Sequence, residues 1–331
     1  MILSRAPVRI TLGGGGTDLK SYYSKYGGFL IAAAVDRYCT ILASKRFYDS
    51  IRLSYSQMEI RDNVDEIQHP IFREALNFAG IEKGIELHSA ADVPANSGLG
   101  SSSSFTVALL NALHAYKRDF VNQKQLAEEA CHIEINILNE PIGKQDQYMA
   151  AFGGLTCLTF EKNGHVIVEP LKISSEDLDR LESNILLFHS GIERSASKIL
   201  SEQDEKSRKD DPDMIENLHR IKEIGMETRK ALEKGDIDTL GELLHVHWET
   251  KRKRSQNMTN PFIDECYEVA RRNGALGGKI MGAGGGGFFM FYCNNSDKPR
   301  VSQTMKKMGL KPMKFRFDFE GAKILVNMKR F

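Results

Sequence analysis

Apolar and polar residues alternate along Ile85-Glu86-Leu87-His88, which predicts a strand. Further on, Phe105, Ala108, Leu109, Ala112 and Tyr116 recur at helical spacing and predict a helix with one buried face. Between the two patterns lies Asp92-Val-Pro-Ala-Asn-Ser-Gly-Leu-Gly-Ser-Ser-Ser-Ser104. The chain is organised around this loop. Gly98 and Gly100 let its backbone bend and approach a ligand closely. The serines then stand at a helix start, where unpaired N–H groups and the helix dipole favour an anion such as phosphate. An ordinary N-cap with a polar first turn is the plainer reading, and the combination of glycines and serines weighs against it.

The rest of the chain reads the same way. Val8–Leu12, Ile31–Val35 and Thr40–Ala43 predict strands, and His69–Ala79 a short helix. A longer helix is expected from Asn122, an N-cap with Gln125 three residues on, carrying an apolar stripe of Leu126, Ala130, Ile133 and Ile137. Glu134 rides on that helix. Pro141-Ile-Gly143 breaks it, and Leu155–Phe160 is the next strand expected. The charged stretch 161–183 places a domain boundary near 180. Beyond it come a strand at Ile185–Phe188, helices near 213–233, 236–251 and 261–273, a strand at Phe288–Tyr292, a helix near 297–308 and two strands near 312–328. The expectation is an α+β chain with a first domain over 1–180 and a second over 181–331.

Composition narrows the function classes. The 331 residues are 41% hydrophobic, enough for a sizeable core. A net charge of +1 gives no bulk signal for nucleic acid or an anionic membrane. No apolar run approaches membrane-spanning length, and the first residues do not form a signal segment. Cys39, Cys131, Cys157, Cys266 and Cys293 contain no Cys-x-x-Cys pair, which fits free thiols in a reducing cytoplasm.

Other stretches carry candidate chemistry. Gly13-Gly-Gly-Gly16 after a strand reads as a wall without side chains beside a ligand. Asp18 either accepts hydrogen bonds from ligand hydroxyls or caps the segment Leu19–Lys25. Glu134 and Asp146 form a carboxylate pair, one suited to Mg²⁺ and the other to a substrate hydroxyl. Lys251-Arg-Lys-Arg254 is either a solvated helix end or an anion-capturing cluster. Arg194, with Ser195 and Ser197, is either a phosphate donor set or a surface loop. His245 and His247 are two apart and point to different sides of a helix, so a zinc site is not expected. Gly282-x-Gly284-x-x-Gly287 spells the dinucleotide fingerprint, but it precedes a strand and follows a helical stretch, the wrong context.

Together these segments resemble the GHMP small-molecule kinases. Pro94-x-x-x-Gly-Leu-Gly-Ser-Ser-Ser103 resembles the family's ATP loop. Ala6-Pro-Val-Arg-Ile-Thr-Leu12 with Thr17-Asp18 resembles the first motif, and Lys279-Ile-Met-Gly-Ala-Gly-Gly-Gly-Gly287 the third. The resemblance implies a ribosomal-protein-S5-like N-terminal domain and a ferredoxin-like C-terminal domain. It implies ATP bound on Pro94, Gly98, Leu99, Gly100, Ser101, Ser102 and Ser103, and Mg²⁺ held by Ser102 and Glu134. Asp146 would act as base on the acceptor hydroxyl and Arg9 would orient or polarise it. Gly15, Gly16, Thr17, Asp18, Gly284 and Gly285 would line the sugar. Where galactokinase has Gly-Glu-His before Thr-Asp, this chain has Gly14-Gly15-Gly16, which loses polar contacts and gains room. The first motif, His189-Ser-Gly-Ile-x-Arg-Ser-Ala-Ser197 and Trp248-x-x-Lys-Arg252 most resemble the D-glycero-D-manno-heptose 7-phosphate kinase branch. That branch implies a sugar phosphate acceptor, with Arg194, Lys251 and Arg252 suited to the phosphate it already carries. A fucokinase-like enzyme on a free sugar and a non-catalytic sugar binder are the alternatives.

Overall fold

The computed structural model describes residues 1–192, 196–255 and 257–328. The large sheet starts with β1 (Ile2–Gly13), crosses helix α1 (Lys20–Tyr26) and returns in the long antiparallel β2 (Gly28–Lys45). The two strands expected at 31–35 and 40–43 are thus one. Every residue of β2 from Gly28 to Val35 is buried, because this part of the sheet is covered on both faces. A strand buried on both sides reads as a continuous apolar run, not an alternating one. The polar Asp36-Arg37 marks a register shift against β1, not an end.

β3 (Ile51–Ser54) and β4 (Met58–Arg61) form a hairpin at the sheet's edge, followed by α2 (Pro70–Ala79) and β5 (Ile85–Ala91). Helix α3 (Ser101–Lys117) runs out of the glycine loop, and α4 (Gln123–Cys131) follows. Asn122 caps α4 as expected, its side chain accepting from Gln125 N at 2.9 Å. The chain then makes one π-helical turn over His132–Ile137. That wider turn slides the apolar stripe, so Ile137 is 38% exposed while Ile133 is buried. After the break comes a helix not foreseen, α5 (Gln145–Phe152), then β6 (Leu155–Phe160) and β7 (Val166–Pro170). On one face of the sheet, Leu30, Ala32 and Ala34 pack with Val107, Leu109, Leu126 and Met149 from α3, α4 and α5.

The stretch 161–183 contains β7 and nearly all of α6 (Ser175–Asn184), so it is not a simple linker. A second, antiparallel sheet has the order β11-β8-β10-β9. It comprises β8 (Ile185–His189), β9 (Ala275–Ile280), β10 (Phe288–Cys293) and β11 (Lys311–Met313). Helix α7 (Ala196–Arg208) lies on α1 and α8 (Pro212–Glu233) on β1 and β2, while α9 (Asp238–Lys251), α10 (Pro261–Arg272) and α11 (Lys298–Lys307) pack against this second sheet. The last strand, β12 (Lys323–Asn327), pairs with β1 and so returns to the first sheet, a placement a simple cut near 180 does not capture. The second face of β1 and β2, through Val8, Ile10, Leu12, Ile31 and Ala33, packs on Leu187, Leu240, Leu244 and Met290 of the second half. The two halves therefore share a core, and the groove between them is where the motifs meet. No helix among the described residues is long and apolar enough to cross a membrane.

Candidate active site

A cleft of about 310 Å³ opens between the halves. Its floor is the loop before α3. That loop is held by backbone contacts to the β9–β10 turn: Phe288 N donates to Ser97 O at 3.1 Å, and an added Cβ on Gly98 would stand 2.7 Å from Met281 O. Only a residue without a side chain allows two loops to approach this closely. The β9–β10 loop thus follows a strand, not a helical stretch as expected. It still opens no helix, so the dinucleotide reading fails on that ground.

Arg9 on β1 and Asp146 in the first turn of α5 face each other across this floor. Arg9 Nε donates to Asp146 Oδ1 at 2.7 Å and Nη2 to Oδ2 at 2.9 Å, a two-pronged pair. Arg9 Nη1 donates to Gly98 O at 2.7 Å, which ties the pair to the glycine loop. The sheet holds Arg9 in register, and the helix dipole favours a carboxylate at the start of α5. Gln145 supports both carboxylates of the site. Its backbone N–H donates to Asp18 Oδ2 at 3.2 Å and its side chain to Asp146 Oδ1 at 3.0 Å, while Thr11 Oγ1 donates to Gln145 Oε1 at 3.1 Å. Asp18 does not cap α1; it accepts from Gly16 N at 3.1 Å and faces the cleft. Burial first, and the nearby Asp146 second, raise the Asp18 carboxyl above the usual range.

Glu134 reaches the cleft from the π turn and is 1% exposed. Ser102 Oγ donates to its Oε1 at 3.0 Å and Gln147 Nε2 to its Oε2 at 2.7 Å. Burial pushes its carboxyl up to about 7, against the opposing pull of its hydrogen bonds from Ser103, Gln147 and Ser102. A divalent cation fits this pair, since both donors are hard oxygens facing the cleft. No group of three or more His, Cys, Asp or Glu among the described residues could hold a metal unaided. Phosphate oxygens and water would complete the shell of such an ion, as is usual for Mg²⁺.

Of the residues expected at the site, Arg9, Gly15, Gly16, Asp18, Gly98, Gly100, Ser101, Ser102, Ser103, Glu134, Asp146 and Lys251 line this one cleft. Others do not. Pro94 is exposed and does not line the cleft, and Leu99 is buried in the shared core. Thr17 is spent inside the fold, its Oγ1 donating to Gly14 O and Phe29 O at 2.8 and 2.9 Å. Gly284 and Gly285 pack against Met258 rather than the cleft. Gly13 and Gly14 pack against Gly225 and Phe29, so the open wall is Gly15 and Gly16 alone. Arg252 pairs with Glu249 at 2.8 Å and with Asp264 at 3.7 Å, away from the cleft. Arg194 and Ser195 lie outside the described residues.

Sequence reasoning named Arg254 only within the Lys251–Arg254 cluster and Lys279 only within the third motif, gave neither a place at the site, and left His247 out. Arg254 stands against Gly15 and Gly16, its Nε donating to Asn217 Oδ1 at 2.8 Å and its Nη1 to Gln203 Oε1 at 3.3 Å. Its place three residues after Lys251, on one turn, was the available signal. Lys279 and His247 are buried and line the same cleft. Lys251 is there too, but its ammonium donates to Ile280 O at 2.9 Å and Gly282 O at 2.6 Å.

Comparison with known proteins matches these features. The model of the GHMP kinases N terminal domain matches residues 67–154, and that of the GHMP kinases C terminal domain residues 228–310. A D-glycero-alpha-D-manno-heptose 7-phosphate kinase of Campylobacter jejuni is 32% identical, covering 97% of this chain and 98% of that protein. An L-fucokinase/L-fucose-1-P guanylyltransferase of Bacteroides fragilis is 25% identical over 93% of this chain but only 36% of its own length. The crystal structure of a D-glycero-D-manno-heptose 1-phosphate kinase from Bacteroides thetaiotaomicron superposes with a TM-score of 0.82 at 27% identity, covering 99% of this chain and 100% of that one.

Proposed function

The chain belongs to the GHMP kinase family, a family of small-molecule kinases, and on that footing we propose that it phosphorylates the anomeric hydroxyl of D-glycero-D-manno-heptose 7-phosphate to the 1,7-bisphosphate. The observation that carries the chemistry is the Arg9–Asp146 pair set against the glycine loop. The end-to-end match to a heptose 7-phosphate kinase supports the acceptor. Work in the cytoplasm, upstream of activated heptose for cell-surface glycans, is the setting this reading implies.

ATP is the donor in this reading, with its phosphates on the N–H groups at the start of α3. Ser102 and Glu134 would hold Mg²⁺, which would neutralise charge on those phosphates. The remaining work belongs to the chain. Asp18 and Gly16 orient the sugar hydroxyls at the cleft wall. Arg9 fixes Asp146 so that one carboxylate oxygen meets the anomeric O–H. The hydroxyl oxygen bonds to the γ-phosphorus as the bond to the β-phosphate breaks, and Asp146 takes the hydroxyl proton. Phosphoryl transfer asks little covalent chemistry of the protein, so positioning and charge stabilisation dominate.

The test is ADP release with Mg-ATP across manno-heptose 7-phosphate, the same heptose unphosphorylated, mannose 6-phosphate, fucose and galactose. Turnover only with the heptose 7-phosphate is expected. Preference for a free sugar would leave the kinase and remove the acceptor. ATP-dependent thermal stabilisation without turnover on any sugar would point to a binding protein instead.

A further inference from the structure

Most charged groups facing the cleft have partners. Arg9 is matched by Asp146, Asp18 accepts from two backbone N–H groups, and Glu134 accepts from Ser102 and Gln147. Among the buried charged groups described in the cleft, Lys279 is the exception. It sits on β9, is 2% exposed and lines the cleft, and its ammonium has no hydrogen bond or ion pair with any described residue. Beside it is His247 on α9, 1% exposed, with both ring nitrogens unpartnered. Lys251 has only backbone carbonyls for its charge, and Arg254 has the amide oxygens of Asn217 and Gln203 and the carbonyl of Gly15. Burial first, then Lys251, Arg9 and Arg254, hold the Lys279 ammonium well below the ordinary lysine range. A buried cation among cations, with no carboxylate of its own, is destabilising in the free protein. Such a group is expected where a ligand brings the opposite charge.

The phosphates of ATP have a separate seat in the start of α3 and the Ser102–Glu134 pair. The cations instead run from β9 to Arg254, which stands against the Gly15–Gly16 wall where the acceptor is placed. Resting on the reading of this cleft as a sugar kinase site, we propose that Lys279, with Arg254 and His247, forms a second anion seat. It binds a phosphate monoester that the acceptor sugar already carries. The seat is assembled from α9, the turn after it and β9, and it replaces Arg252 of the sequence-based expectation.

The test compares wild type with Lys279→Met and Lys279→Arg in steady-state kinetics. KM for manno-heptose 7-phosphate is expected to rise about 10- to 100-fold in Lys279→Met, the effect of losing a charge-assisted hydrogen bond. KM for Mg-ATP holds, and Lys279→Arg recovers part of the loss. A rise confined to Mg-ATP, or an equal rise in both KM values, overturns the proposal and assigns Lys279 to the transferring phosphoryl group. A second arm needs no turnover. With Mg²⁺ and a non-hydrolysable ATP analogue saturating the glycine loop, inorganic phosphate should stabilise wild type against heat and not Lys279→Met. Equal stabilisation of both overturns the seat. If wild type turns over neither heptose, the sugar reading fails while this phosphate comparison still decides the seat. Without ligand, Lys279→Met should melt at or above wild type, and a clear fall would overturn the unpaired-cation argument.

Discussion

The two sides of the cleft are built in different ways. The phosphate side is one continuous stretch, Gly98–Ser103 at the start of α3, with a single carboxylate brought in by the π turn. The acceptor side draws on β1, the turn before α1, α5, α9 and β9, and it gathers four cationic side chains and two carboxylates. On the first side the backbone supplies the binding groups. On the second, side chains from distant segments do, and their burial makes their charge states matter. A contiguous loop can be reused unchanged for one common donor. A composite wall can be altered residue by residue to suit an acceptor.

The largest expected effect separates the two sides directly. Asp146→Asn keeps the shape but removes the proton acceptor, so kcat should fall about 10²–10⁴-fold. Mg-ATP affinity, measured by titration, should hold within about threefold, since Asp146 hydrogen-bonds to Arg9 and Gln145 and to none of the serines. Equal loss of both would mean that the Arg9–Asp146 pair simply braces the fold and that the two sides are one structural unit.

The next effect probes the phosphate side through pH. The Glu134 carboxyl is raised to about 7 by burial, so the folded protein holds its proton where the unfolded chain does not. Stability from this group is fully present below about pH 4.5 and is lost as pH rises through about 7. A shift of that size corresponds to about 3 kcal/mol. Asp18, also raised, adds a contribution of the same sign. Thermal melts of the free protein from pH 5 to 8 should therefore show a fall that Glu134→Gln reduces. Mg-ATP should restore stability at pH 8 in wild type and less so in the variant, and removal of Mg²⁺ with a chelator should abolish the difference. A flat profile would show that Glu134 is ionised without a cation.

These contrasts also explain what was legible in the chain. The stretch Gly98 to Ser103 could be found because its neighbours in sequence are its neighbours in space. Arg9, Asp18, Glu134 and Asp146 were given their roles through resemblance to family motifs, since their partners in space lie far along the chain, Asp146 from Arg9 and Glu134 from Ser102. The α+β architecture and most helices followed from period alone. The join of 31–35 with 40–43 into β2 was hidden because burial on both faces erases alternation. The π turn was hidden because periodicity assumes one pitch, and Ile137 shows the cost of that assumption. Helix α5 was hidden behind a Pro-x-Gly break. Lys279 and Arg254 were in plain view, but no pattern of period or charge tells which lysines a fold will bury. Only β9 meeting α9 across the cleft does that.

A smaller effect tests the acceptor wall. A Cβ on Gly16, at φ +100°, would stand 2.6 Å from Arg254 Nη1. Backbone strain at such a position costs about 1–3 kcal/mol, and the guanidinium must move as well. Gly16→Ala should raise KM for the acceptor about tenfold and leave KM for Mg-ATP alone. Gly98→Ala should do the reverse, because its Cβ would meet Met281 O across the loop–loop contact. If either substitution raised both KM values alike, the division into two sides would be too sharp.

The smallest effect asks how finely the acceptor side is tuned. Thr11 shares a strand face with Arg9, and its hydroxyl donates to the Gln145 carbonyl whose amide group donates to Asp146. Thr11→Val keeps shape and strand preference and removes only that hydroxyl. One buried hydrogen bond is worth about 1 kcal/mol, so kcat/KM for the acceptor should drop about fivefold. The same substitution should leave Mg-ATP binding unchanged, since no atom of Thr11 or Gln145 contacts the serine loop through a hydrogen bond in this structure. An unchanged kcat/KM would mean that the α5 backbone alone holds Gln145. A drop approaching that of Asp146→Asn would mean that the hydroxyl sets the carboxylate's orientation, making Thr11 part of the positioning machinery and not merely its support.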